Sequence, residues 1–229
     1  MDLGGPLVAG SFVERLNRFA ATVVVDGREE LVHVANSGRM RELLTPGRRV
    51  LLRPAASEHR KTRFDLVLVD LGYALASTDS QLPNRVVWEA LQQGRLPQFA
   101  GYPEIRREVS CGESRLDLMV AGPQGRCYIE TKSVNLVEEG IALFPDAPTA
   151  RGAKHLRTLA QLVAEGNRAA VIFVVQRPDA RAFSTFDAAD PEFAAELRAA
   201  MRSGVEAYAY TCRVTETEIC LADALPLNL

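Results

Sequence analysis

Arg115-Leu116-Asp117-Leu118-Met119-Val120, Ala121-Gly122-Pro123-Gln124-Gly125-Arg126 and Cys127-Tyr128-Ile129-Glu130-Thr131-Lys132-Ser133-Val134 form one continuous stretch, and its reading decides the fold. Two apolar runs flank a Gly/Pro turn, which predicts a hairpin of two strands. Alternate side chains of a strand share a face, so Glu130 and Lys132 point the same way, about 6.6 Å apart. Asp117 is expected to share its face with Arg115 and Met119, while Leu116, Leu118 and Val120 turn toward a core. A symmetric turn centred between Pro123 and Gln124 sets Asp117 directly opposite Glu130. Opposed like charges destabilise a sheet. A divalent cation would remove that penalty, and Mg2+ is commonly held by one or two carboxylates with water and phosphate oxygens. A neighbouring lysine can hold or help deprotonate an attacking water, and metal and ammonium together stabilise charge on a scissile phosphate. Asp117, Glu130 and Lys132 are therefore candidate catalytic residues. Asp117 and Glu130 are candidate ligands for Mg2+ or Mn2+. The alternative is an exposed edge strand with an ordinary Glu130–Lys132 surface pair.

Outward from this hairpin, the second half mixes strands and helices. Ile105–Val109 precedes it as a strand. A helix is expected from about Ala150 to Ala164, stopped at Gly166, followed by a buried central strand over Ala169–Gln176. Asp190 can cap a helix that has Pro191 in its first turn and runs to about Arg202, with a strand over Val205–Tyr210 after it. Such alternation implies an α/β sheet. The first half is strand-rich, with runs over Ala20–Asp26, Leu31–Val34, Val50–Arg53, Phe64–Val69 and Tyr73–Ser77 and a short helical turn at Met40–Leu44. Asp26-Gly27 marks a hairpin. A five-stranded barrel of the OB type fits this half. Asp79–Asn84 reads as a connector and Arg85–Gln92 as a helix with Val86, Val87, Ala90 and Leu91 on its apolar face, ending at Gly94. The expected division is residues 1–80 as an OB-like nucleic-acid-binding domain and 81–229 as a nuclease-like α/β domain.

The net charge is −2, which excludes a generic polycation, but its distribution is uneven. Between Arg39 and Arg63 stand eight basic residues (Arg39, Arg41, Arg48, Arg49, Arg53, Arg60, Lys61 and Arg63) against Glu42 and Glu58. That asymmetry suits a polyanion-binding face, with a solvated arginine-rich surface as the alternative. Arg151, Lys154 and His155 cluster at the start of the later helix, where backbone N–H groups also favour anions. Glu89, Glu104, Glu108 and Glu113 are further acids near the hairpin; ion-paired or solvated roles are expected for them, though Glu89 or Glu108 could add a ligand. The four cysteines, Cys111, Cys127, Cys212 and Cys220, contain no C-x-x-C pair, so reduced, packing cysteines are expected rather than a zinc cluster. The first residues carry neither a basic nor an apolar leader segment, and no run approaches a membrane span, which makes the cytoplasm the default compartment. There is no nucleophile elbow, Walker loop, dinucleotide fingerprint or H-E-x-x-H.

The spacing of Asp117, Glu130 and Lys132 is the Asp…Glu-x-Lys arrangement of the PD-(D/E)xK nuclease superfamily. Taken in order, Leu16-Asn17-Arg18-Phe19, His33-Val34-Ala35-Asn36-Ser37-Gly38-Arg39-Met40, Gln81-Leu82-Pro83-Asn84, Arg115-Leu116-Asp117, Tyr128–Val134, Phe144-Pro145-Asp146-Ala147 and Arg151-Gly152-Ala153-Lys154-His155-Leu156 resemble the sugar fermentation stimulation protein (SfsA) family. Ala35 departs from it, standing where the family usually has proline. The resemblance implies an OB-like barrel followed by a restriction-endonuclease-like domain, in a bacterial protein that binds DNA without reading its sequence. It also implies a regulatory link to sugar (maltose) metabolism, with Asp117, Glu130 and Lys132 at the nuclease positions. Backbone contacts to duplex DNA are expected, since the first half offers few aromatics (Phe12, Phe19, Phe64 and Tyr73) for stacking. The rival reading is a Mg2+- or Mn2+-dependent nuclease. A homo-oligomer is compatible with either, and a membrane partner with neither.

Overall fold

Val-rich alternating runs punctuated by glycines build the first half of the computed structural model, which describes residues 1–56 and 60–229. Strands β1 (Val8–Asn17), β2 (Ala20–Val25), β3 (Arg28–Val34), β4 (Arg49–Pro54) and β5 (Phe64–Asp70) pair in the order β3-β2-β1-β4-β5. A parallel β3–β5 ladder, Val32↔Phe64 to Val34↔Leu66, closes them into a five-stranded barrel. A short β6 (Leu75–Ser77) extends β5. The Asp26-Gly27 turn links β2 to β3 with both φ angles positive, 49° and 76°, as a tight hairpin requires. The interior holds Phe12, Val23, Val32, Leu43, Val50, Leu52 and Leu66.

Two expectations shift here. The first strand, β1, was not legible as one, because register breaks at Phe12/Glu14 and Arg15/Asn17 interrupt its alternation. The helix after the connector, α1, spans Leu82–Gln92, three residues longer than expected, because Pro83 sits in its first turn where no N–H is needed.

The second half is a six-stranded sheet, β15-β14-β12-β9-β8-β7. Its strands are β7 (Glu104–Cys111), β8 (Ser114–Gly122), β9 (Gly125–Val134), β12 (Arg168–Val175), β14 (Glu206–Val214) and β15 (Ile219–Ala224). β9, β12 and β14 run parallel, and β7, β8 and β15 are antiparallel to their neighbours. A small sheet of β10 (Val137–Glu138), β11 (Ile141–Phe144) and β13 (Ala182–Thr185), not foreseen, sits beside it. Helix α2 covers Ala150–Ala164 and α3 Pro191–Arg202, and Thr149 and Asp190 cap them as side-chain acceptors.

The central strand β12 shows how the layers form. Ala170, Ile172 and Val174 join a core with α1 and with Leu51, Val67 and Leu68 of the barrel. Val171, Phe173 and Val175 join a second core with Leu156, Leu159 and Leu162 of α2 and Phe193 and Leu197 of α3. The barrel thus packs against the α1 side of the sheet and shares its core. Burying each such side chain contributes about 1.5–3 kcal/mol. No helix among the described residues is long and apolar enough to cross a membrane.

Candidate functional site

The β8–β9 hairpin has the register expected from its turn, from Gly122↔Gly125 to Leu118↔Ile129. The pairing stops there, one residue short of Asp117 and Glu130. Across β8 on the other side, Glu108 of β7 has a φ of 57°, and the ladder skips the Glu108–Asp117 step. Side-chain alternation inverts at this fork. Leu116 packs with Met119 in the α2-side core, while Leu118 and Val120 stay on the α1 side. The expectation that Leu116 shares a face with Leu118 and Val120 is therefore wrong, and Asp117 does not simply face Glu130 across a ladder. Asp117 Oδ2 instead accepts from the Thr131 backbone N–H at 2.8 Å and its hydroxyl at 2.6 Å, and Oδ1 accepts from Asn84 Nδ2 of α1 at 3.3 Å.

From the α2 side, Glu130 Oε1 accepts from Lys132 Nζ at 2.6 Å and from His155 Nδ1. His155 Nε2 accepts from Arg151 Nε at 3.4 Å, so a neutral ring with its proton on Nδ1 satisfies both contacts. Glu130 is only 4% exposed, yet its Oε2 has no hydrogen-bond partner, and neither has the buried Asn84 Oδ1. Burial, then the neighbouring Glu130 charge, pushes the Asp117 carboxyl pKa up. Burial works against the Glu130 carboxylate too, but Lys132 and His155 outweigh it and hold its pKa below the ordinary value. Repulsion between the two carboxylates thus adds to burial on the Asp117 side, while the Lys132 and His155 contacts decide the Glu130 side.

These residues fit a hard cation. The orphaned Glu130 oxygen is buried where an unpaired charge is costly, and the nearby Asp117 is a second hard oxygen donor. Among the described residues no group of three or more His, Cys, Asp or Glu gathers to hold a metal. Two carboxylates would leave the rest of a cation's shell to water or phosphate oxygens.

The sequence-predicted basic residues do not form one patch. Arg49 is paired with Asp70 at 2.9 Å, Arg60 with Asp65 at 2.6 Å and Arg63 with Glu30 at 3.0 Å, so acids from other strands neutralise much of the segment. Arg48 donates to the Glu42 carbonyl, Arg53 to the Leu3 carbonyl, and Lys61 is exposed. Glu58 and His59 lie outside the described residues. Arg39 and Arg41 stand elsewhere, lining a cleft of about 820 Å3 between barrel and sheet. Arg15, Arg18 and Asp146 line it too, as do Ser133 near the end of β9 and Thr149, the cap of α2, whereas Asp117, Glu130 and Lys132 do not. Arg15 and Arg18 escaped the charge count because they lie outside the Arg39–Arg63 segment and only the fold brings them to the cleft. Thr131 and Asn84 escaped because only the fork brings them to Asp117. Of the helix cluster, His155 reaches Glu130, Arg151 is exposed beside it, and Lys154 pairs with Glu113 at 3.1 Å. Glu89 pairs with the Met1 ammonium at 2.8 Å and Glu108 with Arg115, so neither adds to the carboxylate pair. His33 bonds Asp65, at 3.0 Å, in the barrel. All four cysteines are free, with Cys127 and Cys212 buried.

A family model described as the sugar fermentation stimulation protein RE domain matches residues 81–218, and one described as the SfsA N-terminal OB domain matches residues 13–78. A sugar fermentation stimulation protein homolog of Desulforamulus reducens is 47% identical over 223 residues, 97% of this chain and 93% of that protein. Another, of Caldanaerobacter subterraneus subsp. tengcongensis, is 44% identical over 229 residues, 100% of each. The solved structure of Pyrococcus furiosus SfsA, in complex with Ca2+, matches with a TM-score of 0.91 at 32% identity, covering 100% of both chains. The barrel, the α/β sheet behind it and these full-length likenesses lead to one conclusion: the chain belongs to the sugar fermentation stimulation protein (SfsA) family.

Proposed function

We propose that this protein binds DNA through its phosphates, without reading sequence, and hydrolyses the phosphodiester backbone at Asp117, Glu130 and Lys132 with the help of a divalent cation. The observation that carries this reading is the Glu130 carboxylate: buried, ion-paired through Oε1, and unpartnered at Oε2. A hard cation between Glu130 and Asp117 would neutralise charge on a scissile phosphate. The Ca2+ bound by the related Pyrococcus furiosus protein supports the choice of a hard, oxygen-seeking ion, which Mg2+ or Mn2+ also is. Lys132, two residues along the strand and paired with Glu130, would hold the attacking water and donate to the phosphate. His155 orients the Glu130 carboxylate and Thr131 the Asp117 carboxylate, as outer partners of metal ligands do. Arg18, Arg39 and Arg41 of the cleft would hold phosphates by charge and forked hydrogen bonds, which position a strand but read no bases.

Plasmid DNA incubated with the protein and Mg2+ or Mn2+ tests this. Cleavage that EDTA stops and that Asp117→Ala and Lys132→Ala both lack supports the reading. Cleavage that survives in both variants, or none by the wild type with either ion, overturns it.

A further inference from the structure

The turn between β1 and β2 carries two large apolar side chains that no core claims: Leu16 is 51% and Phe19 54% exposed. A single exposed apolar residue needs no explanation, but these two stand next to cleft-lining residues without lining the cleft themselves. Arg15, Asn17 and Arg18 all line the cleft between barrel and sheet. The turn is also held stiff. Arg15 donates to the carbonyls of Asn17 and Arg18 at 3.1 and 2.7 Å, and to those of Asn36 and Gly38 across the cleft wall, at 2.6 Å each. Asn17 Oδ1 accepts from the Phe19 N–H at 2.9 Å. A turn held in this way has little backbone freedom to lose when something stacks on Phe19.

The cleft's volume of about 820 Å3 suits what it would hold. Cavities of about 300–1,000 Å3 enclose a drug-sized molecule, which matches a few nucleotides and falls short of a double helix. Arg39 and Arg41 face this space from the loop after β3. Basic side chains tracking a backbone with an aromatic beside them is the arrangement that binds single strands, since every base has a face to stack. The scarcity of aromatics in this half thus hides the one aromatic whose position matters.

We infer that the cleft takes a single polynucleotide strand rather than a duplex, with a base stacked on Phe19 at its rim and the backbone led past Arg18, Arg39 and Arg41 toward Ser133 and Thr149. This rests on the proposed function for the chemistry at the strand's end, but not for the binding itself. A duplex would then be cut only where it frays, gaps or is unwound.

Fluorescence anisotropy on the full-length chain tests it, using labelled oligo(dT) and oligo(rU) of about 15 nucleotides, near the upper site size of one such barrel, and a DNA duplex of the same length. The wild type is expected to bind one or both single strands more tightly than the duplex. Phe19→Ala is expected to weaken single-strand binding by roughly five- to 150-fold, the range a base–aromatic stack contributes, while duplex binding holds within about twofold. Phe19→Trp is expected to restore the affinity, with indole fluorescence quenched on binding beyond any change in the wild type. Tighter duplex binding by the wild type, or Phe19→Ala losing both forms equally or neither, overturns the inference. Cleavage that depends on Asp117 and Lys132 is read separately, so the proposed chemistry can stand if the stacking site falls.

Discussion

Asp117 of β8 accepts through a single carboxylate oxygen from both the backbone N–H and the hydroxyl of Thr131 on β9, at 2.8 and 2.6 Å. The hydrogen bonds take the place of the ladder step lost at the fork, and they aim the carboxylate. Partners that orient a metal ligand typically contribute about 10–100-fold in metal affinity. Thr131→Val, which keeps the shape and removes the hydroxyl, is expected to weaken Mn2+ affinity by about that factor. Thr131→Ser is expected to keep it within a few fold. Calorimetric titration of Mn2+ into each variant checks this; equal affinity in Thr131→Val would mean that the backbone bond alone aims Asp117.

Arg39 and Arg41 line the cleft, whereas Arg49, Arg60 and Arg63 are engaged by acids. Each phosphate neutralised lowers the slope of log affinity against log salt by about 0.7–0.9. Arg39→Ala with Arg41→Ala is expected to make the salt dependence of DNA binding shallower by about 1.4–1.8. Arg60→Ala with Arg63→Ala is expected to leave it nearly unchanged. A larger effect from the second pair would place the DNA on the barrel's other face.

The barrel carries a pH-sensitive cluster. Burial works against the Asp65 carboxylate, but Arg60, His33 and Arg53 outweigh it and hold its pKa below the ordinary value. A carboxylate with a depressed folded pKa stabilises fully above its unfolded pKa of about 3.9, and the contribution fades as pH falls through the folded value. Asp65→Asn is expected to be less stable than the wild type at neutral pH, with the gap narrowing on acidification below about pH 4. Urea unfolding across this range measures it, and a gap independent of pH would show that the charge is not what Asp65 contributes.

Asp146, from the loop after β11, accepts from the backbone N–H groups of Arg39 and Met40 at 2.6 and 3.2 Å, and so ties the barrel's loop to the sheet. It holds Met40 at a φ of 46°, a region that side chains seldom occupy. Gly38 beneath it has no room for a Cβ, which would lie 2.9 Å from Asp146 Oδ2. Asp146→Ala is expected to cost about 1–3 kcal/mol, the range for leaving such donors unpaired, and to lower DNA affinity by loosening Arg39. Denaturant melts and binding on the same preparation check both; full DNA affinity with lowered stability would separate the latch from the cleft.

Much of the scaffold was written in local chemistry. The Pro123-Gln124 turn sets the β8–β9 register, Thr149 and Asp190 mark where α2 and α3 begin, and the apolar run after Gly166 is the buried β12. The fork at Asp117 was not legible, because period-two alternation assumes an unbroken ladder and the break depends on Glu108 of another strand. The basic segment misled for a related reason. Counting charge along the chain ignores the acids that Asp65, Asp70, Glu30 and Glu216 bring from elsewhere. It also overlooks Arg15, on a strand disguised by its bulges, and Arg18, in the turn that follows. Lys132, by contrast, follows Glu130 on the same strand face as alternation predicts, but the pair is buried on an inner strand, not an ordinary surface pair on an exposed edge.

Mn2+ calorimetry paired with plasmid nicking on the wild type, Asp117→Ala and Lys132→Ala separates cation binding from cleavage. Asp117→Ala is expected to lose both, while Lys132→Ala keeps Mn2+ binding and nicks at least about 100-fold more slowly, the scale of removing a group that stabilises transition-state charge. Wild-type nicking undiminished in Lys132→Ala, or Mn2+ binding undiminished in Asp117→Ala, would contradict the proposed cation-assisted cleavage.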